Sequence, residues 1–195
     1  MGKSAVSLAG AAALVVGLSG AAWAQEIQER KENQQDRIAQ GVKSGQLTAG
    51  ETARLEGKEA TLNREERSMR ALDNGKLTAQ DRKTINQQQN QLSKQIYAEK
   101  HDAAVQPKPK GEVGARQENQ QDRIAQGIKS GQLTAGETAR LERKEAGLNK
   151  EVRTDRQANG GTLTPQERRQ VNRQQNHLSR QIYKDKHNQR RQPKP

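Results

Sequence analysis

The stretch SGQLTAGETARLE at residues 44–56 occurs again, unchanged, at residues 130–142, and it decides the fold. Working outward from it, residues 30–101 align with 116–187 at a constant offset of 86, and 49 of the 72 aligned positions are identical. A duplication of this kind predicts two copies of one structural unit. The prolines and glycine of the segment 105–111 indicate a linker between the copies.

Each copy contains two sites where one helix should end and another begin. A glycine suited to a helix C-terminus and a leucine precede a threonine, and an acidic residue follows that threonine three positions later. This spacing predicts capping boxes, in which threonine and acid each satisfy a free backbone amide of the other. Pro165 suits the first helical position after one of these caps. The predicted helix caps are Thr48, Thr78, Thr134 and Thr164.

These corners divide each copy into three helices with narrow apolar stripes, such as Ile85, Leu92 and Ile96. We expect an all-α fold of two tandem three-helix units with an extended or coiled-coil-like arrangement. The narrow apolar stripes also leave self-association into a homo-oligomer open. A disordered chain with nascent helices is the alternative, because few apolar residues are available. The predicted helices cover 31–43, 49–73 and 79–100, and then 117–129, 135–159 and 165–187.

The composition argues against a large buried core. The 195 residues carry a net charge of +12, only 29% are hydrophobic, 2% are aromatic, and there is no cysteine. Most enzyme folds need a larger apolar core than this composition can supply. The sequence also contains no catalytic-nucleophile, zinc-binding or phosphate-loop signature. We therefore expect no enzymatic activity and no cofactor.

The first residues resemble a targeting segment. A lysine precedes an apolar run, and Ala22-Trp23-Ala24 forms an A-x-A site before Gln25. We predict a cleaved signal peptide, export to the periplasm or the medium, and no membrane span in the mature chain. The predicted organisation is a signal peptide at 1–24, a first unit at 25–103, a linker at 104–115, a second unit at 116–188 and a basic tail at 189–195.

The repeated SGQLTAGETA string and the RQxNxLSxQIYxxKH ending resemble a group of small secreted bacterial helical-repeat proteins that have no assigned activity. The Leu-Thr corners faintly resemble the L-T-x-x-Q motif of the Spy and CpxP type of periplasmic chaperone. The fifth position of that motif is acidic in this sequence. The resemblance implies a small, secreted, helical protein that shields unfolded clients.

Two corners also resemble the second half of an EF-hand loop. With Gly75 at loop position 6, Asp81 falls at position 12, and Gly161 and Glu167 follow the same register. Position 1 is an arginine in both loops, and an arginine repels a cation. No metal site is predicted, and Asn74, Asp81 and Glu167 are only weak candidates for calcium ligands.

Positive charge concentrates near the C-terminus. Residues 165–195 carry nine basic and two acidic side chains. At 100° per residue, Arg169, Arg173, Arg180 and Lys184 lie within about 60° of one another, opposite the apolar stripe. A solvated surface without a ligand is the plain alternative. The candidate anion-binding residues are Arg168, Arg169, Arg173, Arg180, Lys184, Lys186, Arg190 and Arg191.

We therefore expect a non-enzymatic protein that binds a polyanion, an envelope phosphate or an acidic protein through this helix. A stress-type chaperone is the first alternative, and divalent-metal binding at the EF-hand-like corners is the second. Sequence-specific nucleic-acid recognition is not expected, because the chain shows no known reading motif and few aromatic residues.

Overall fold

Four threonine-capped corners organise the chain into helices. The computed structural model describes residues 20–107 and 111–192, and within them it contains six α-helices and no strand. This confirms the all-α prediction. None of the helices in the described residues is long and apolar enough to cross a membrane. The helices are α1 (Gly20–Ser44), α2 (Ala49–Leu72), α3 (Ala79–Lys100), α4 (Glu112–Lys129), α5 (Ala135–Ala158) and α6 (Pro165–His187).

All four predicted caps are capping boxes. At the first of them, the Thr48 hydroxyl accepts a hydrogen bond from the Glu51 amide at 3.3 Å, and the Glu51 carboxylate accepts one from the Thr48 amide at 2.9 Å. Thr78, Thr134 and Thr164 cap α3, α5 and α6 in the same way. Gly45 has a φ of +74°, which suits glycine and allows the chain to leave α1.

The first helix of each copy begins earlier than the predicted residues 31 and 117. Ile27 and its equivalent Val113 are buried, and their carbonyl oxygens accept hydrogen bonds from buried glutamine amides of α3 and α6 at 2.9 Å. These contacts hold α1 at Ile27 and α4 at Val113, and further upstream in α1 the Arg82 guanidinium lies 5.9 Å from the centroid of the Trp23 ring. Consequently α1 runs through the predicted cleavage site at Ala24, and α4 includes the end of the predicted linker. Residues 1–19 of the predicted signal peptide, 108–110 of the predicted linker and 193–195 of the predicted tail lie outside the described residues.

The two copies share one hydrophobic core. The largest buried cluster takes seven residues from the first copy and their seven equivalents from the second. Two smaller clusters lie within single copies, around Ile85 and around Val171. The shared cluster consists of Ile38, Ala39, Val42, Leu47, Leu55, Leu92 and Ile96, with Ile124, Ala125, Ile128, Leu133, Leu141, Leu178 and Ile182.

Equivalent helices meet across the boundary between the copies. The most extensive helix contact joins α2 to α5, and the next joins α1 to α4. The start of α2 lines a groove with the end of α5, and the end of α2 lines one with the start of α5, so these helices run in opposite directions. The copies are therefore related by a pseudo-two-fold axis, as the subunits of an isologous dimer are.

Buried glutamines replace part of the missing apolar core. The Gln34 side-chain amide donates to the Gln89 carbonyl oxygen at 2.7 Å and to the Ser93 hydroxyl at 2.8 Å. In the second copy, Gln120 repeats both bonds at 2.8 and 2.9 Å. Because these polar groups are bonded, helices with narrow apolar stripes can still pack closely.

Candidate anion-binding surface

Helix α6 is held with its apolar face inward. Val171, Leu178 and Ile182 are at most 3% exposed, and the cap at Thr164 followed by Pro165 sets where the helix begins. The buried Gln175 fixes its rotation, since its side-chain amide donates to the Val113 carbonyl oxygen. The residues on the opposite side of α6 therefore face solvent.

Four of the eight predicted basic residues lie on that outer side. Arg169, Arg173, Arg180 and Lys184, which we call the basic ridge, are exposed. None of the four has a side-chain hydrogen bond or a salt bridge to a described residue. At 1.5 Å per residue, the basic ridge is about 22 Å long. Arg168 is also exposed at the start of the helix.

The other predicted cations lie elsewhere. Lys186 is only 7% exposed, so its prediction as a surface anion ligand is corrected. Its ammonium group donates to the Gln126 side-chain oxygen at 2.9 Å, and burial lowers its pKa. Arg190 is exposed beyond the helix end, and Arg191 lines a groove between α2 and α5. The backbone amide of Gln192 donates a hydrogen bond to the Gly131 carbonyl oxygen at 3.0 Å, which places the C-terminal tail beside this groove.

Sequence reasoning missed an aromatic pair beside the basic ridge. The ring of Tyr183 stacks on that of His187 with centroids 4.1 Å apart, and Tyr183 is 60% exposed. Tyr183 lies within about 60° of Arg180 around the helix axis. The tyrosine–histidine spacing of four residues was the available signal, because it places two rings on one helical face. Tyr97 and His101 form the same pair in the first copy.

The corresponding face of α3 carries fewer charges. Lys83 and Lys94 align with Arg169 and Arg180, whereas Gln87 and Ala98 align with Arg173 and Lys184. Lys83 and Lys94 are exposed, and neither forms a salt bridge with a described residue. The same scaffold thus presents a strongly basic helix in one copy and a weakly basic one in the other.

The weak metal candidates serve the corners instead. The Asp81 carboxylate accepts hydrogen bonds from the Thr78 hydroxyl and amide, and the Glu167 carboxylate accepts from the Thr164 amide and from Asn159. Hydrogen bonds to these threonines hold the pKa of both carboxyls below its ordinary value. Asn74 is exposed with a φ of +52°. The described residues contain no group of three or more histidine or carboxylate side chains that could hold a metal ion.

A different set of acids is sealed at the contact between α2 and α5. Glu56, Glu59, Glu142 and Glu145 are each 0% exposed. Glu59 and Glu145 lie on the apolar side of their helices, a position that predicts pairing with a nearby lysine or arginine, yet neither forms a salt bridge with a described residue. The nearby Lys31 bonds to Glu66, and its equivalent beside Glu145 is the neutral Gln117.

Burial controls the protonation of these acids. It raises the pKa of Glu142 to about 8 and the pKa values of Glu59 and Glu145 to about 7. Burial together with the neighbouring Glu59 raises the pKa of Glu56 well above its ordinary value. Each of Glu56 and Glu142 accepts one hydrogen bond from a glutamine of the preceding helix, at 3.2 and 3.1 Å. Because they are sealed from solvent, these acids influence stability rather than ligand contact.

No protein-family model, curated protein or solved structure matches this chain. Its function must therefore be argued from its own surface.

Proposed function

We propose that the protein is exported and binds polyanions without catalysing a reaction, using the basic ridge on α6. The main support for this proposal is that all four cations of the basic ridge are exposed and have no salt-bridge partner among the described residues. Cations without protein partners are free to replace the counterions of a bound polyanion, and releasing those counterions drives association.

The shape of the ridge favours a linear ligand. A row of charges about 22 Å long matches a chain of phosphate, sulfate or carboxylate groups better than it matches a single small anion. The stacked Tyr183 and His187 add a flat surface at one end of this row. Suitable ligands are an acidic polysaccharide, a phosphate-rich envelope polymer or an acidic protein.

The test measures binding of a random-sequence DNA duplex, used as a calibrated polyanion, over a range of salt concentrations. We expect affinity to fall steeply with salt. The variant Arg169→Gln/Arg180→Gln should lower the log–log salt slope by about two, because each lost phosphate contact lowers it by about one. Heparin measured in the same way extends the test to a sulfated polysaccharide.

The chain supplies its own matched control. Lys83→Gln/Lys94→Gln removes the same number of charges from the equivalent positions of α3. We expect this control to change the slope by less than half as much. Salt-insensitive binding, or equal effects of the two variants, would contradict the proposal. Suppression of client aggregation without polyanion binding would favour the chaperone alternative.

A further inference from the structure

Five arginines line one groove at the contact between the two copies. The groove has a volume of about 430 Å³ and is formed by the second half of α2, the start of α5 and the C-terminal tail. No aspartate or glutamate lines it. Surfaces usually mix both signs of charge, so such an accumulation is unfavourable without a counter-ion. The five residues are Arg64, Arg67, Arg140, Arg143 and Arg191.

None of these five arginines forms a salt bridge within the described part of the chain. Arg67, Arg140 and Arg143 form no side-chain hydrogen bond or salt bridge there. Arg64 donates to the Thr61 hydroxyl at 3.1 Å, and Arg191 donates to backbone carbonyl oxygens of the tail. Arg140 opposes the rise in the pKa of Asp185 that burial causes, but Asp185 does not line the groove.

One side chain of the groove lining is itself buried. Gln192 is 7% exposed, and its side-chain oxygen accepts a hydrogen bond from the Ala135 amide at 3.0 Å. This bond fixes the orientation of the side-chain amide. Its Nε2 is then buried without a hydrogen-bond partner in the described residues. A buried donor of this kind is normally paired. Gln192 also lines a second groove together with Glu32 and Asp36, so its side chain lies between two grooves of different charge.

The pseudo-two-fold axis generates a related groove that also has no acidic lining residue but carries three cations, Lys150, Arg153 and Arg156, instead of five arginines. At the positions equivalent to Arg143 and Arg191 stand Gly57 and Val105. Arg54, the equivalent of Arg140, forms a salt bridge with Glu99 at 3.7 Å. The two copies differ little elsewhere in this region, so the five-arginine arrangement belongs to one groove only.

We propose that the five-arginine groove binds a soluble, compact anion that carries two or more phosphoryl groups. Arginine forks match phosphate oxygens in pairs. A volume of about 430 Å³ is within the range of small-molecule sites. This site is separate from the basic ridge, so the inference goes beyond the proposed function.

The experiment titrates tripolyphosphate into the full chain by isothermal titration calorimetry at 150 mM salt. We expect one molecule bound per chain. Arg67→Gln/Arg143→Gln removes two exposed side chains that have no hydrogen bond or salt bridge to a described residue, and it should weaken binding about 100-fold, roughly tenfold per arginine. Should circular dichroism show that the double variant loses helix, Arg67→Gln alone carries the test with a tenfold loss.

The matched control is Arg169→Gln/Arg180→Gln, which removes two arginines from the basic ridge. We expect it to change tripolyphosphate affinity by less than threefold. Full affinity in the groove variant, or equal losses in both variants, would overturn the inference. The two proposals can fail separately, because the ridge variant is judged on the DNA duplex and the groove variant on tripolyphosphate.

Discussion

Glu59 and Glu145 are residues whose preferred charge state depends on the fold. In the unfolded chain each carboxyl titrates near its ordinary value of 4.5, whereas burial raises the pKa of both to about 7. The nearby charged groups are Lys31, Glu66 and Glu56 for Glu59, and Glu142 for Glu145. Between these pH values the folded state holds more protons than the unfolded state, so stability falls as the pH rises.

We predict that the free energy of unfolding is highest below about pH 4.5, where these acids are protonated in both the folded and the unfolded chain. It should decline by a few kcal/mol toward pH 8, because the buried acids must then lose their protons in the folded protein. Glu59→Gln/Glu145→Gln should flatten this decline and raise stability at pH 8.5, because a neutral amide replaces a group that must lose a proton. Urea unfolding at pH 5.5 and 8.5 measures both effects.

Glu66 serves as an internal control for the direction in which stability changes with pH. Its bonds to Lys31 and Arg70 lower its pKa despite burial, so its contribution is lost as the pH falls. Glu66→Gln should therefore lower stability at neutral pH instead of raising it. Equal stability of the parent protein at pH 5.5 and 8.5 would rule out buried neutral acids.

At the scale of elements, the caps set where α2, α3, α5 and α6 begin. We predict that Thr164→Ala lowers the free energy of unfolding by about 1 kcal/mol, because the Glu167 amide loses its hydrogen-bond acceptor. Chemical denaturation measures the change. Thr84→Ala, inside α3, is the control and should cost nothing, because alanine favours a helix interior. A Thr164 effect no larger than the control would mean that Pro165 alone sets the helix start.

The helices were predictable to the extent that local chemistry sets their ends. Capping depends on residues three positions apart, so sequence alone identified the starts of four helices. The starts of α1 and α4 depend on Ile27 and Val113, single apolar residues whose partners lie more than 50 residues away. The basic ridge followed from helical periodicity, whereas the burial of Lys186 depends on Gln126 of another helix.

The contact between the two copies could not be predicted from the spacing of apolar residues along each helix. Polar residues on a helix ordinarily indicate a solvent face, yet Gln34, Glu56 and Glu59 are buried. Gln34 is buried by its bonds to α3, and Glu56 and Glu59 are buried at the contact between α2 and α5, so their burial depends on residues distant in sequence that no local pattern encodes. The five-arginine groove was missed for the same reason, because it collects arginines from two helices and the tail.

At the scale of the whole molecule, the shared core means that neither copy buries its apolar face alone. We predict that residues 20–107, expressed alone, form a homodimer. In that homodimer, another molecule of the first copy occupies the position that the second copy has in the full chain. Light scattering measures the mass, and the urea midpoint should rise with protein concentration. The full chain should show one concentration-independent transition. A stable, monomeric first copy would contradict the shared core.

Gly57 and Arg143 face each other across the pseudo-two-fold axis, since a Cβ on Gly57 would lie 3.9 Å from the Arg143 guanidinium. In a homodimer one mutation changes both subunits, so an arginine at this position would meet another arginine. Covalent fusion of the copies removes that constraint. One side can retain glycine while the other acquires arginine, so duplication allowed a symmetric scaffold to specialise one side without a matching charge opposite it.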